Sequence, residues 1–264
     1  MTEKPAEIWN ETFKVHSYEV DFEGQATLET LCHYFQEAAW NHAERLGVGY
    51  SQLQRDQRLW VLSRLLIKID CYPLWGDTIS VHTWPRRARS ALAMRDFRIL
   101  DSAGSTLAAG SSAWLVLDAA TRKPLRADKM LAHFTELSEE RALERDPEKL
   151  AGAPSKPEGS LKQIAVQYSD IDVNGHANYA WYIASVLNSR PVHLHAQYRP
   201  AWLEANYLGE TNGSESLFLA TTVEGPEEYL YSIFKPDTAE ELCRLKVTWR
   251  KRETKKSVNG TEAP

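Results

Sequence analysis

A repeat constrains this chain more than any other feature. Asp21-Phe22-Glu23-Gly24-Gln25-Ala26-Thr27 lies over Asp172-Val173-Asn174-Gly175-His176-Ala177-Asn178 without a gap, and each copy runs into a helical pattern. In the first copy, Leu28, Leu31, Cys32, Phe35, Ala39, Ala43 and Leu46 recur at the three-and-four spacing of one helical face. Thr27 is placed to cap that helix, Glu29 sits in its first turn, and Arg45 followed by Gly47 marks its end. In the second copy Asn178 takes the cap position, and an apolar helix runs from Tyr179 to Leu187 before Pro191 stops it. A later match sets Trp75-Gly76-Asp77-Thr78 against Leu208-Gly209-Glu210-Thr211, each read as a turn into a strand. The chain therefore reads as a duplicated unit.

The rest of the unit is strand-like. Phe13 and Val15, then Tyr18, Val20 and Phe22, alternate with polar residues before the first helix, and Ile164, Val166 and Tyr168 do so before the second. After the first helix come apolar runs over Trp60–Ile69, Thr78–Trp84, Met94–Leu100 and Ser111–Leu117, broken by Pro73, Gly76, Pro85 and Gly104. Successive strands joined by short turns pair antiparallel, so the expected class is α+β, a curved antiparallel sheet wrapped round a long helix, made twice. The first half spans residues 1–125, a charged and helical connector 126–160, the second half 161–252, and a disordered tail 253–264.

Composition narrows the function. The 264 residues are 43% hydrophobic and 25% charged, enough for a sizeable core, and a net charge of −5 argues against a nucleic-acid protein. No apolar run has the length of a membrane span or the form of a signal peptide, which points to the cytoplasm. Cys32, Cys71 and Cys243 have neither disulfide nor zinc spacing and are read as small buried apolar residues. His193-x-His195 would put two imidazoles on one face of a strand with no third ligand nearby, so no metal is expected. No cofactor is expected either.

The two copies differ in chemistry. Where the first has Glu23 and Gln25, the second has Asn174 and His176, so only the later copy offers a group that titrates near neutral pH. If the loop is extended, Asp172, Asn174 and His176 point to one side, just ahead of a helix N-terminus with free N–H groups. A neutral imidazole can take a proton from water, an amide can position that water, a carboxylate can orient the ring, and the helix end can stabilise an oxyanion. Such a group suits hydrolysis.

The segment from Asp170 to Tyr179 resembles the active-site segment of the acyl-acyl carrier protein thioesterases, a double hot-dog family of plastids and bacteria. The likeness extends to Tyr18-Glu19-Val20-Asp21, to Ala26-Thr27-Leu28-Glu29, to the run from Gly76 through Trp84 and Pro85, and to Ser112 through Asp118 with Thr121-Arg122-Lys123-Pro124. The resemblance implies two tandem hot-dog folds, a fatty-acyl tunnel lined mainly by the first half, and catalysis by Asp172, Asn174 and His176. It also implies a catalytic Glu on a strand after the second helix, near a Tyr-Arg pair. Counting from Tyr198-Arg199 puts Ala201 there, whereas counting back from Gly209 brings Glu204 within one residue; Glu204 is preferred. It would serve as base or nucleophile, and otherwise His176 and Asp172 would activate water themselves.

Tyr34, Phe35 and Trp60, with Trp40, are aromatic candidates for the tunnel wall, and Asn178 joins them as a substrate-binding candidate. A carrier protein is acidic, so a net-negative enzyme needs a local basic patch to receive it. Arg86, Arg87 and Arg89 lead the richest cluster; Arg122, Lys123 and Arg126 form a second, and the run from Lys246 to Lys256 a third. The competing readings are an enoyl-thioester hydratase of double hot-dog type and a non-catalytic acyl-binding protein. Chain-length preference and a homodimeric state are left open.

Overall fold

The computed structural model describes residues 8–89, 91–131, 137–152 and 161–252, with the Arg89 side chain also outside the described set. The expected tail, the last part of the connector and the end of the third basic run therefore lie outside it. The first half contains β1 (Trp9–Lys14), a 3-10 turn (Ser17–Glu19), α1 (Leu28–Arg45), α2 (Tyr50–Arg55), β2 (Arg58–Ile69), β3 (Thr78–Arg89), β4 (Leu92–Leu100) and β5 (Thr106–Asp118). A two-residue β6 (Pro124–Leu125) and the single turn α3 (Ala127–Met130) follow. The second half repeats the order with β7 (Leu161–Ile164), a 3-10 turn (Tyr168–Asp170), α4 (Tyr179–Asn188), α5 (Val192–Gln197), β8 (Tyr198–Tyr207), β9 (Leu217–Val223), β10 (Glu228–Phe234) and β11 (Glu241–Lys251).

Both principal helices start at the expected caps. Thr27 Oγ1 accepts the Thr30 N–H at 3.1 Å and Asn178 Oδ1 accepts the Ala180 N–H at 2.9 Å. The strand order is β1-β3-β4-β5-β2-β8-β11-β10-β9-β7, with β6 on β5, all antiparallel. Read outward from the central β2–β8 pair, the two sides carry the same element sequence, so the duplication is a pseudo-two-fold about that seam. Arg64↔Asn206 through Lys68↔Trp202 register the halves into one sheet.

One core spans both units. Leu31, Phe35 and Ala38 of α1 and Ile183 and Val186 of α4 pack with Leu65, Ile67, Val81, Phe97, Leu203, Leu245 and Val247 from the inner sheet face. The helices meet each other where Tyr179 Oη donates to the Cys32 carbonyl at 2.5 Å and Asn178 Nδ2 to Gln36 Oε1 at 2.9 Å. Two tandem hot-dog folds, each a helix backed by an antiparallel sheet, are what the resemblance implies and what the chain forms.

The opposite sheet face is crossed by residues 137–152, which form no helix, contrary to the helical character expected of the connector. Backbone and side-chain bonds stitch this strap down. Trp84 Nε1 donates to the Glu140 carbonyl at 2.9 Å, Ala142 N–H to Asp96 Oδ2 at 2.7 Å, and Leu150 N–H to Asn206 Oδ1 at 2.8 Å. Leu143 packs on Leu66 and Ala109.

Three smaller expectations change. Tyr18, Phe22 and Tyr168 lie outside any strand and are exposed, because the chain turns through 3-10 geometry before each repeat. Cys32 and Cys243 are buried as expected, but Cys71 is exposed. His193 and His195 sit on α5, not a strand, and the His195 ring Nε2 bonds the Leu187 carbonyl at 2.9 Å.

Candidate active site

The repeated segment folds the same way twice. In the second copy the Asp172 N–H donates to the His176 carbonyl and the Gly175 N–H to the Asp172 carbonyl, both at 2.9 Å. In the first, the Asp21 N–H donates to the Gln25 carbonyl at 2.8 Å and the Gly24 N–H to the Asp21 carbonyl at 2.9 Å. Gly175 and Gly24 have φ of 77° and 73°, which a side chain would strain. The aspartate is structural in both copies: Asp172 Oδ1 accepts the Asn174 N–H at 2.8 Å, and Asp21 Oδ1 the Glu23 N–H at 2.9 Å. The loop is thus a closed turn and not extended chain. Among the described residues no hydrogen bond joins the Asp172 carboxylate to the His176 ring, although Asn174 Nδ2 lies 3.5 Å from Asp172 Oδ2.

Asp172, Asn174 and His176 all line a cavity of about 1300 Å³ that reaches across the seam into the first half. Phe35, Trp40 and Trp60 line it too, with Met94 and Leu131. Tyr34 does not: it stacks on Phe13 at 4.8 Å and donates its hydroxyl to Glu19 Oε2 at 2.8 Å, on another side of α1. Asn178 is spent on the α4 cap and on Gln36, which does line the cavity.

The cavity wall is chiefly neutral. Burial pushes the phenols of Tyr179, Tyr182 and Tyr207 upward, so they stay protonated. Arg95 adds a cation, its Nη1 donating to Thr83 Oγ1 at 3.1 Å and to His42 Nδ1 at 3.2 Å; burial lowers it to about 10, still charged at neutral pH.

The carboxylate beside His176 is Glu210. Its Oε2 lies 3.7 Å from His176 Nε2, and both side chains are about one-third exposed. Arg122, from the turn after β5 in the first half, pairs with the same carboxylate and also lines the cavity, so each half contributes charge here. Glu204 is elsewhere. It points from β8 to the outer sheet face, is 6% exposed, and is held by Arg145 at 3.0 and 2.8 Å and by the Glu148 N–H at 2.6 Å. Strand alternation explains this, since Leu203 and Ala205 on either side face the core. Glu210 was within reach of the sequence: the internal match set it opposite Asp77, at the turn that lies against the repeated loop.

Of the three arginines expected to meet a carrier protein, Arg86 is enclosed under the strap, with Asp96 at 2.9 Å and Asp146 at 2.5 Å. Arg87 is exposed and pairs with Glu139 at 2.9 Å; the Arg89 side chain lies outside the described residues. Among the described residues no group of three His, Cys, Asp or Glu side chains is arranged to hold a metal ion, and no helix is long and apolar enough to cross a membrane.

Comparison with known proteins agrees with this architecture. A model of the acyl-ACP thioesterase N-terminal domain matches residues 6–134, and one of the C-terminal domain matches residues 154–251. A chloroplastic palmitoyl-acyl carrier protein thioesterase of Gossypium hirsutum is 27% identical over 96% of this chain and 66% of its own length. A chloroplastic acyl-acyl-carrier-protein hydrolase of Cuphea viscosissima is 26% identical over 96% and 65%. The chain thus spans just under two thirds of these curated relatives. The crystal structure of an acyl-ACP thioesterase from Bacteroides thetaiotaomicron superposes with a TM-score of 0.83 at 28% identity, over 94% of this chain and all of that one. The 12:0-ACP thioesterase of Umbellularia californica shares the fold at TM-score 0.83 and 23% identity, over 94% and 98%. With each of its halves matched by the corresponding domain model, the chain belongs to the acyl-acyl carrier protein thioesterase family.

Proposed function

We propose that this protein hydrolyses fatty-acyl thioesters carried on acyl carrier protein, releasing the free fatty acid and the carrier thiol and so ending chain elongation. The observation that carries this reading is the pairing of His176 with Glu210 on the wall of a cavity large enough for an acyl chain. A 3.7 Å separation is longer than a hydrogen bond, as catalytic pairs often are before substrate closes the site. Neutral His176 takes a proton from water as it attacks the thioester carbonyl carbon, and Glu210 stabilises the imidazolium that forms. The N-terminus of α4, beginning two residues beyond Ala177, supplies positive dipole for the oxyanion. As the C–S bond breaks, the imidazolium returns its proton to the leaving thiolate. Asp172 holds the turn that sets Asn174 and His176, and Asn174 positions the water.

Glu210 replaces Glu204 in this scheme because only Glu210 reaches the cavity. Carrier recognition is assigned to Arg87 and to exposed Lys123 beside Arg122, with Arg86 withdrawn because its charge is consumed inside the fold. The proposed compartment is the cytoplasm.

The direct test incubates the purified protein with acyl carrier proteins bearing saturated chains of graded length, following thiol release and free fatty acid together. Equimolar thiol and acid are expected. Hydration of an enoyl thioester without thiol would favour the hydratase, and tight binding without turnover an acyl-binding protein.

A further inference from the structure

The first repeat keeps the turn but not the histidine, and a cluster of arginines has gathered on it. Arg199 on β8 and Arg250 on β11 are direct cross-strand partners, and Arg252 follows Arg250 by two residues. Their side chains therefore share a face, and like charges set directly opposite destabilise a sheet. Cations commonly guard edge strands against aggregation by projecting into solvent, but the Nε atoms of Arg199 and Arg250 are buried. Edge protection does not account for them.

Two of the three meet on one acceptor of the turn, and the third lies beside them as the cross-strand partner of Arg199. Arg199 Nη1 at 3.0 Å and Arg252 Nη1 at 2.7 Å both donate to Gln25 Oε1, and Arg250 Nη2 donates to the Asp70 carbonyl at 2.7 Å. Asp21 pairs with Arg252, while the Asp70 carboxylate is taken by Lys68 at 2.9 Å. Among the described residues no carboxylate pairs with Arg199 or Arg250, and the Nε of each is buried without an acceptor. Three guanidiniums against one paired carboxylate leave two uncompensated positive charges and orphaned donors, the complement of an oxyanion.

We propose that Arg199 and Arg252, on the turn of the first repeat, together with Arg250 beside them, form a binding site for a phosphate group. Arginine forks suit a tetrahedral oxyanion, and its negative charge removes the cross-strand repulsion. Neither these residues nor Asp21 and Gln25 line the acyl cavity, so the site is separate from the one that holds His176. Duplication has put proton transfer on one copy of the turn and anion binding on the other. The phosphate could be inorganic or the phosphodiester of a phosphopantetheine arm.

Calorimetric titration of inorganic phosphate into the full-length protein, at ionic strength held constant with sodium chloride, tests the site. Saturable binding is expected, weakened at least tenfold in Arg199→Gln and in Arg250→Gln, with hydrolysis of an acyl-pantetheine thioester, which lacks the phosphate, within twofold of wild type in both. Should either variant fail to fold, Arg199→Lys, which keeps the charge and loses the fork, is expected to weaken binding without that risk. Holo carrier protein competing with phosphate better than the apo form would identify the phosphopantetheine arm as the source; equal, negligible competition by both would identify free phosphate. Absence of saturable binding, or equal affinity in wild type and variants, overturns the proposal.

Discussion

Glu204 and Glu210 are six residues apart and belong to opposite faces of the molecule. On β8 the side chains alternate, so a glutamate flanked by core-facing Leu203 and Ala205 must point outward, where Arg145 and the Glu148 N–H hold it. Glu210 lies beyond the end of the strand, where alternation no longer applies, and the turn delivers it to His176. The Glu204→Ala variant is expected to lose about 1–3 kcal/mol of stability, because it orphans the Glu148 N–H and unpairs a partly exposed arginine. Urea unfolding checks this, and turnover per folded molecule should stay within a fewfold of wild type. The histidine was legible because, among the differences between the aligned copies, it alone brings an imidazole. Its carboxylate partner was less so, since a family count back from Gly209 lands on the strand, whereas Glu210 lies one residue beyond that glycine.

At the scale of elements, caps and helical faces carried through: α1 and α4 begin where Thr27 and Asn178 place them. Alternation over residues 13–22 misled because a polar-apolar rhythm does not separate a strand from a strand end followed by a 3-10 turn. The connector misled differently. Its charged residues suit a solvated helix by composition, but their partners lie far away in sequence, on strands of the outer sheet face. Arg86 is the clearest case, a residue that reads as surface charge and is buried against Asp96 and Asp146. Burial holds the Asp96 carboxyl above its ordinary value even with Arg86, Ser111 and the Ala142 N–H opposing it. Arg86→Met is expected to cost about 3–5 kcal/mol, since it strands a carboxylate that is 1% exposed. A loss under 1 kcal/mol in chemical denaturation would mean that the strap does not depend on this network.

At the scale of the whole molecule, the β2–β8 seam turns two copies of one unit into a single sheet with one cavity, and the copies have diverged at the turn each presents. The second repeat supplies His176 and Glu210, while the first supplies Phe35, Trp40, Trp60 and Arg122. The fold was readable from sequence because duplication repeats its signals. That Arg122 of the first half would reach Glu210 of the second was not, because contacts across the seam leave no periodic trace. The most direct test of the account is the turnover number of Glu210→Gln and His176→Gln on a carrier-borne acyl thioester, measured beside wild type at matched thermal stability. The account predicts a fall of about 10²–10⁴-fold in each, the range for loss of a general acid-base group. Turnover within threefold of wild type in either variant would contradict it.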